Sequence, residues 1–229
     1  MNTLTEENIN SVLSYYADAD NQTRLKGFQS QVVNSFNNPN LNNIIHSIKT
    51  RLKNPEHLKD KIIRKFGQDN DRIITVDNLF KEVTDLIGVR VLHLHQEQFT
   101  DIHKNILNNI ENGDWTFVEE PKAYTWDPEY KAFYEKLNIK TEVNERFYTS
   151  VHYVVKPNNQ NSNPICCEIQ VRTLFEEIWG EIDHTINYPH PTDSIACKEQ
   201  IRVLAKLVST GTRLADSIFR SHKEHSEKQ

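Results

Sequence analysis

The stretch Leu86-Ile87-Gly88-Val89-Arg90-Val91-Leu92-His93-Leu94 restricts the fold of this chain more than any other. It is a nearly continuous apolar and β-branched run, and it reads as a central strand covered on both faces. Such a strand needs partners on both edges. Phe147 to Val155 alternates and predicts one partner. Pro164 to Arg172, after the polar turn Asn158–Asn163, predicts another, and Trp115 to Val118 a short third. Helical spacing surrounds these strands. It predicts helix over residues 6–36 and a second helix from Leu41 to Leu52 carrying Ile44, Ile45 and Ile48. A third helix is expected from Pro55 through Lys65, with further ones over 96–112, 174–186 and 193–222. Residues 72–84 read as a short helix or connector. Residues 121–142, aromatic and charged with two prolines, give no clear period. The class expected from this order is α+β, a mixed β-sheet with helical extensions at both ends.

The glycines remove several function classes. There are six, and no two lie closer than about 20 residues. A Walker A loop, a G-x-G-x-x-G turn and a G-x-S-x-G elbow are all excluded. Any phosphate must therefore be held by side chains. The net charge of −5 weighs against a dedicated nucleic-acid binder, although a local patch would escape that count. Three cysteines form no disulfide framework and no C-x-x-C zinc pair. No apolar run approaches the roughly 20 residues of a membrane span, and no leader pattern opens the chain, so no membrane and a cytoplasmic location are expected.

Four constellations carry chemistry. Lys49, Arg51, Lys53, Lys59, Lys61, Arg64 and Lys65 stand against only Glu56 and Asp60. Lys61, Arg64 and Lys65 share a helical face, which suits either solvent or a polyanion such as a triphosphate. Asp85 heads the buried strand, a common place for a Mg²⁺ ligand. Arg90 inside that strand needs a partner, or else a ligand to stack on, and Gly88 can mark a close approach. Alternation puts Glu168, Gln170 and Arg172 on one strand face, and likewise Tyr148, Ser150 and His152. A ring beside hydrogen-bonding groups suits recognition of a base, or is an ordinary solvent-facing side. Trp179, Asp183, His184 and Tyr188 invite a triad reading. Adjacent helix residues diverge, however, and no serine or cysteine completes it.

These segments together resemble the synthetase domain of the RelA/SpoT family, the (p)ppGpp alarmone synthetases. The matching residues are Arg51-Leu52-Lys53 with Lys61 and Arg64-Lys65; Asp85 through Arg90; Tyr148, Ser150 and His152; and Glu168 through Thr173 with Trp179 and His184. The resemblance covers residues 45–190, leaving 1–44 and 191–229 as helical extensions of one compact unit. It implies a nucleotidyltransferase-like mixed sheet flanked by helices. It also implies transfer of the β,γ-pyrophosphate of ATP to the 3′-hydroxyl of GDP or GTP, with release of AMP. By the same resemblance Arg51 and Arg90 sandwich the adenine, and Lys53, Lys61, Arg64 and Lys65 grip the triphosphate. Asp85 and Glu168 are the catalytic carboxylates, Asp85 binding Mg²⁺ and Glu168 acting as metal ligand, as general base toward the 3′-hydroxyl, or as both. Tyr148 stacks on the acceptor base, with Ser150, His152, Gln170, Arg172 and Glu177 around it.

The chain departs from the family pattern near the acceptor. Phe147 and Thr149 replace a glycine and an arginine, and Glu177 stands where related synthetases often carry a base-reading asparagine. Asn54 replaces a serine. The alternative acceptors implied are the tRNA 3′ end or an adenine nucleotide, as in toxic relatives that pair with an antitoxin protein. Residues 195–222 are placed to support a homo-oligomer or to pack on their own sheet.

Overall fold

The computed structural model describes residues 4–68, 73–159, 164–188 and 190–228; most of the polar turn expected at 158–163 lies outside them. Among the described residues the chain forms eight α-helices and a seven-stranded mixed sheet. Two helices open it, α1 (Glu6–Ala17) and α2 (Ala19–Phe36), where the spacing alone suggests one. Asp18 divides them: its backbone leaves the helical region and its carboxylate accepts from the Asp20 and Asn21 amides. Strand β1 (Ile45–Leu52) follows, then α3 (Pro55–Gln68), the single turn α4 (Leu79–Glu82) and β2 (Ile87–His93). Next come α5 (Phe99–Glu111), β3 (Trp115–Phe117), β4 (Lys122–Thr125), α6 (Pro128–Lys136) and β5 (Lys140–Val143). The chain continues through β6 (Ser150–Pro157), β7 (Cys167–Thr173), α7 (Leu174–Asn187) and α8 (Ile195–Ser226).

The sheet runs β1-β2-β7-β6-β4-β5, with β3 paired to the far end of β6. Only β2–β7 and β4–β5 are parallel. The apolar run of β2 sits between β1 and β7, as its composition requires. Ile87, Val89 and Val91 of β2, Cys167, Ile169 and Val171 of β7, and Val151, Tyr153 and Val155 of β6 alternate onto one face. There they join Leu25, Phe28 and Val32 of α2 and Ile102 and Ile106 of α5 in the main core. The opposite face carries the polar residues and is where α7 and α8 lie.

The helix expected over 41–52 is a strand instead. Residues 45–52 pair antiparallel with β2, Lys49 opposite Arg90 and Arg51 opposite Gly88. Leu41, Ile44, Ile45, Ile48 and Leu52 satisfy a helical period by coincidence. The β-branched isoleucines and Thr50 suit a strand equally, and the open edge of β2 decides the matter. The unreadable stretch 121–142 holds three short elements, β4, α6 and β5. The strand expected from Phe147 starts only at Ser150, because Phe147 has φ +66 and turns the chain before it.

Helix α7 begins with a capping box in which the Thr173 hydroxyl accepts from the Glu176 amide and the Glu176 carboxylate accepts from the Thr173 amide at 2.7 Å. Glu176 is buried. Burial pushes its carboxyl up to about 7; the Thr173 hydrogen bonds and Arg172 oppose the rise, and Asp216 adds to it. A raised carboxylate penalises the ionised folded state. The penalty is absent below the unfolded value of 4.5, grows with pH and is complete above 7. Glu176→Gln keeps an oxygen acceptor for the cap. It is therefore expected to stabilise the protein by about 2 kcal/mol at pH 8 and by much less at pH 5. Thermal melts at the two pH values check this; an equal gain at both would refute it.

Candidate active site

Strand register assembles the site. On the face away from the main core, Arg51, Gly88 and Glu168 lie in one row across β1, β2 and β7. Lys49, Arg90, Gln170, His152 and Lys122 lie in the next, across β1, β2, β7, β6 and β4. Arg172 follows two residues beyond Gln170. Gly88 gives room within its row, since a Cβ there would meet the Arg51 Cγ and Nε at 3.2 Å. Helix α7 crosses this face and closes a cleft of about 560 Å³. Arg51 and Arg90 wall one side, and Tyr148, Gln170 and Arg172 wall the other. Gly180, Asp183, His184 and Tyr188 of α7 and its C-terminal end form the roof. The volume suits a small organic ligand.

Three charge clusters surround the cleft. Asp85, just ahead of β2, pairs with Lys53 at 2.9 Å and with Lys61 of α3 at 2.7 Å. Burial works to raise the Asp85 carboxyl, but Lys61 and Lys53 outweigh it and hold it at about 2. Burial likewise lowers Lys53, against the pull of Asp85. Lys65 turns from this pair and donates to the Glu82 carbonyl, while Arg64 is exposed on the same helix.

The second cluster centres on Glu168. Its Oε1 lies 3.2 Å from His152 Nδ1, and its Oε2 accepts from the Gln170 amide at 2.8 Å. His152 Nε2 is 2.9 Å from the Tyr148 hydroxyl, so the ring bridges Tyr148 and the carboxylate. Burial raises the Glu168 carboxyl and Asp85 adds to the rise, but His152 and Gln170 bring it below its usual value.

The third cluster is centred on Glu177. Lys49 Nζ lies 2.8 Å and Arg90 Nη1 3.3 Å from its Oε1, while Arg172 pairs with its Oε2. Burial raises the Glu177 carboxyl, and the three cations more than reverse that.

The residues expected at the site thus separate. Arg51, Arg90, Tyr148, Gln170 and Arg172 line the cleft. Asp85, Lys53 and Lys61 stand together beyond its Arg51 end, and Glu168 and His152 interact beside Gln170. Ser150 is fully buried, its hydroxyl directed at the Val171 carbonyl at 3.5 Å, and it lies outside the cleft wall. Lys49, named only within the basic run, and Asp183 and Tyr188, set aside with the triad reading, also line the cleft. The spacing of Trp179, Asp183 and Asn187, and of Gly180, His184 and Tyr188, marks one helical face and is the signal that could have found the last two. His184 and Tyr188 stack with ring centres 4.6 Å apart.

Asp85, just ahead of β2, and Glu168, on the neighbouring strand β7, offer hard oxygen donors. No group of three or more His, Cys, Asp or Glu suited to a metal occurs among the described residues. Two carboxylates with coordination left for phosphate and water fit Mg²⁺ and fit the softer transition metals poorly.

Phe147 occupies the left-handed backbone where the family pattern has glycine. This conformation strains a bulky residue by about 1–3 kcal/mol. The ring packs 5.3 Å from Trp126 and lies under the Arg202 guanidinium of α8 at 5.4 Å. The aromatic thus ties the loop before Tyr148 to the C-terminal helix.

The family model for the region found in RelA/SpoT proteins matches residues 50–193, and the chain belongs to this family. Among its relatives, GTP pyrophosphokinase YwaC of Bacillus subtilis (strain 168) is 25% identical over 146 residues, covering 64% of this chain. The match spans 60% of that relative's length. A GTP pyrophosphokinase family protein from Streptococcus pneumoniae shares the fold with a TM-score of 0.66 at 20% identity, over 97% of both chains. Small alarmone synthetase 1 from Bacillus subtilis, bound to its product pppGpp, gives a TM-score of 0.64 at 17% identity, over 87% of this chain and 93% of that one. The family resemblance and the α+β mixed sheet expected from the sequence both hold. No described helix is long and apolar enough to cross a membrane.

Proposed function

We propose that the protein is an ATP-dependent pyrophosphokinase making (p)ppGpp. The 3′-oxygen of GDP or GTP bonds to the β-phosphorus of ATP, the bond from that phosphorus to the α,β-bridging oxygen breaks, and AMP departs. The observation that carries this reading is the single sheet face on which a two-sided cleft is flanked by the Asp85–Lys53–Lys61 and Glu168–His152 groups. Family membership and the relatives' names support it.

In this reading Arg51 and Arg90 hold the adenine between their guanidiniums, whose planar faces suit stacking. Lys53, Lys61, Arg64 and Lys65 neutralise the triphosphate, which lets Asp85 exchange its lysine partners for the substrate's own counter-ions. Asp85 and Glu168 would hold Mg²⁺, which when bound offsets charge on the transferred group and on departing AMP. Glu168 accepts the 3′-hydroxyl proton, directly or through water. Tyr148 stacks on the acceptor base, with Gln170, Arg172 and His152 fixing its orientation. Both substrates are soluble nucleotides, which fits a cytoplasmic enzyme.

A second reading keeps the chemistry and changes the acceptor to a tRNA 3′ end or an adenine nucleotide, as a toxin controlled by an antitoxin. It rests on a second hollow of about 260 Å³ that shares Arg146, Asp183 and Asn187 with the cleft and adds Lys198 and Arg202. Three cations there face two carboxylates, Glu145 and Asp183. Incubation with γ-labelled ATP, Mg²⁺ and each acceptor separately decides between the readings. Label is expected on GDP or GTP; label confined to tRNA or an adenine nucleotide supports the second reading, and no transfer to any acceptor refutes both.

A further inference from the structure

Glu177 holds the position where the family pattern suggests a reader of the acceptor base, but its surroundings are those of a counter-ion. Lys49 on β1 and Arg90 on β2 are register partners, and Arg172 projects from β7 on the same face. Three cations side by side on neighbouring strands repel one another. Helix α7 places one carboxylate among them, with its side chain only 5% exposed. One oxygen takes Lys49 and Arg90, and the other takes Arg172. Both oxygens face cations, and Glu177 is absent from the cleft wall.

The three partners serve different parts of the site. Arg90 lines the donor side of the cleft and is also held by Glu181 at 2.5 Å. Arg172 is buried, its guanidinium 5.8 Å from the centre of the Tyr148 ring, so it supports the acceptor-side platform. It fits there because residue 180 is glycine; a Cβ would stand 2.7 Å from the Arg172 Nη1. One buried carboxylate therefore fixes an arginine of each half-site.

We infer that Glu177 is a positioning residue that holds Arg90 and Arg172 together and so orders the donor and acceptor half-sites as a unit, without reading the acceptor base. The inference rests on the donor and acceptor sides assigned in the pyrophosphokinase reading. Breaking such a buried cluster from one side leaves cations uncompensated, and they shift toward solvent or toward the remaining carboxylates. Both half-sites then lose their geometry, whereas loss of a base reader would affect the acceptor alone.

The test is binding of α,β-methylene-ATP without acceptor, measured by calorimetry on the full chain, beside steady-state kinetics with the preferred acceptor. Glu177→Gln is expected to weaken analogue binding at least tenfold and to raise KM for both substrates. Analogue affinity within twofold of wild type, with only the acceptor KM raised, overturns the inference. Glu177→Asp keeps the charge and guards against a misfolded Gln variant. Its shorter reach is expected to weaken acceptor-free binding about three- to fivefold, and unchanged binding would again overturn the inference. Transfer by the wild-type protein is read separately. Analogue binding without transfer to any acceptor overturns the pyrophosphokinase reading, while the variants still decide the role of Glu177. Failure of the wild type to bind the analogue removes the donor site and this inference with it.

Discussion

Asp85→Asn is expected to lower the rate of pyrophosphoryl transfer by at least about 10³-fold while leaving ATP affinity equal or slightly improved. The two signs follow from one geometry. The Asp85 carboxylate stands between the Lys53 and Lys61 ammoniums, which hold it ionised even though burial opposes the charge. Those lysines are the cations proposed to meet the triphosphate. Removing the carboxylate frees them and takes a negative charge away from an anionic substrate, so ground-state binding does not suffer. The loss is expected in the transition state, where the carboxylate would no longer share in holding the proposed Mg²⁺. Asn is nearly isosteric; its oxygen can accept from one lysine while its NH₂ faces the other, which is left to turn toward solvent or substrate, so the fold is expected to persist. Initial rates at saturating substrates, with α,β-methylene-ATP binding and a melting curve as controls, check the prediction. A kcat within tenfold of wild type would remove Asp85 from the catalytic centre.

How much of this site was legible in the sequence differs from residue to residue. Strand β2 was legible as a strand because its β-branched, apolar run is too short for a buried helix, but its expected cover on both faces is incomplete: Gly88 and Arg90 are half-buried and line the cleft. Alternation correctly put Glu168, Gln170 and Arg172 on one face, since a period of two survives any sheet order. Strand β1 was not legible. Its isoleucines fit a helix, and only the β2 edge, a tertiary partner, selects the strand. That error hid the place of Lys49 opposite Arg90, which exists only once β1 is paired. The Glu177 cluster was hidden for a related reason. It joins β1, β2, β7 and α7, and no spacing along the chain encodes which strands become neighbours. Position 147 shows the converse limit: the missing glycine was visible, but not that Phe147 would take a left-handed backbone and anchor on Trp126 and Arg202.

Glu168→Gln should cost about 10³-fold in kcat, within the range for loss of a general base, and its structural side effects are small enough to make the loss interpretable. In the native site the two carboxylate oxygens take His152 Nδ1 and the Gln170 amide. A glutamine must present its own NH₂ to one of these. Turning it toward His152 is the economical choice, because the imidazole can move its proton to Nε2 and accept at Nδ1. The Tyr148 hydroxyl, 2.9 Å from Nε2, then changes from donor to acceptor without moving. The network therefore survives with its directions reversed, and what disappears is the charge and basicity of residue 168. The double variant Asp85→Asn, Glu168→Gln separates one catalytic centre from two. Carboxylates that act on one phosphoryl group through a shared ion fail together, so the double variant is expected to be no more than a few-fold slower than the worse single variant. Independent roles would instead multiply the losses toward about 10⁶-fold. Single-turnover rates of all three variants, measured at saturating Mg²⁺, distinguish the cases, and multiplied losses would mean that Asp85 and Glu168 do not serve a common centre.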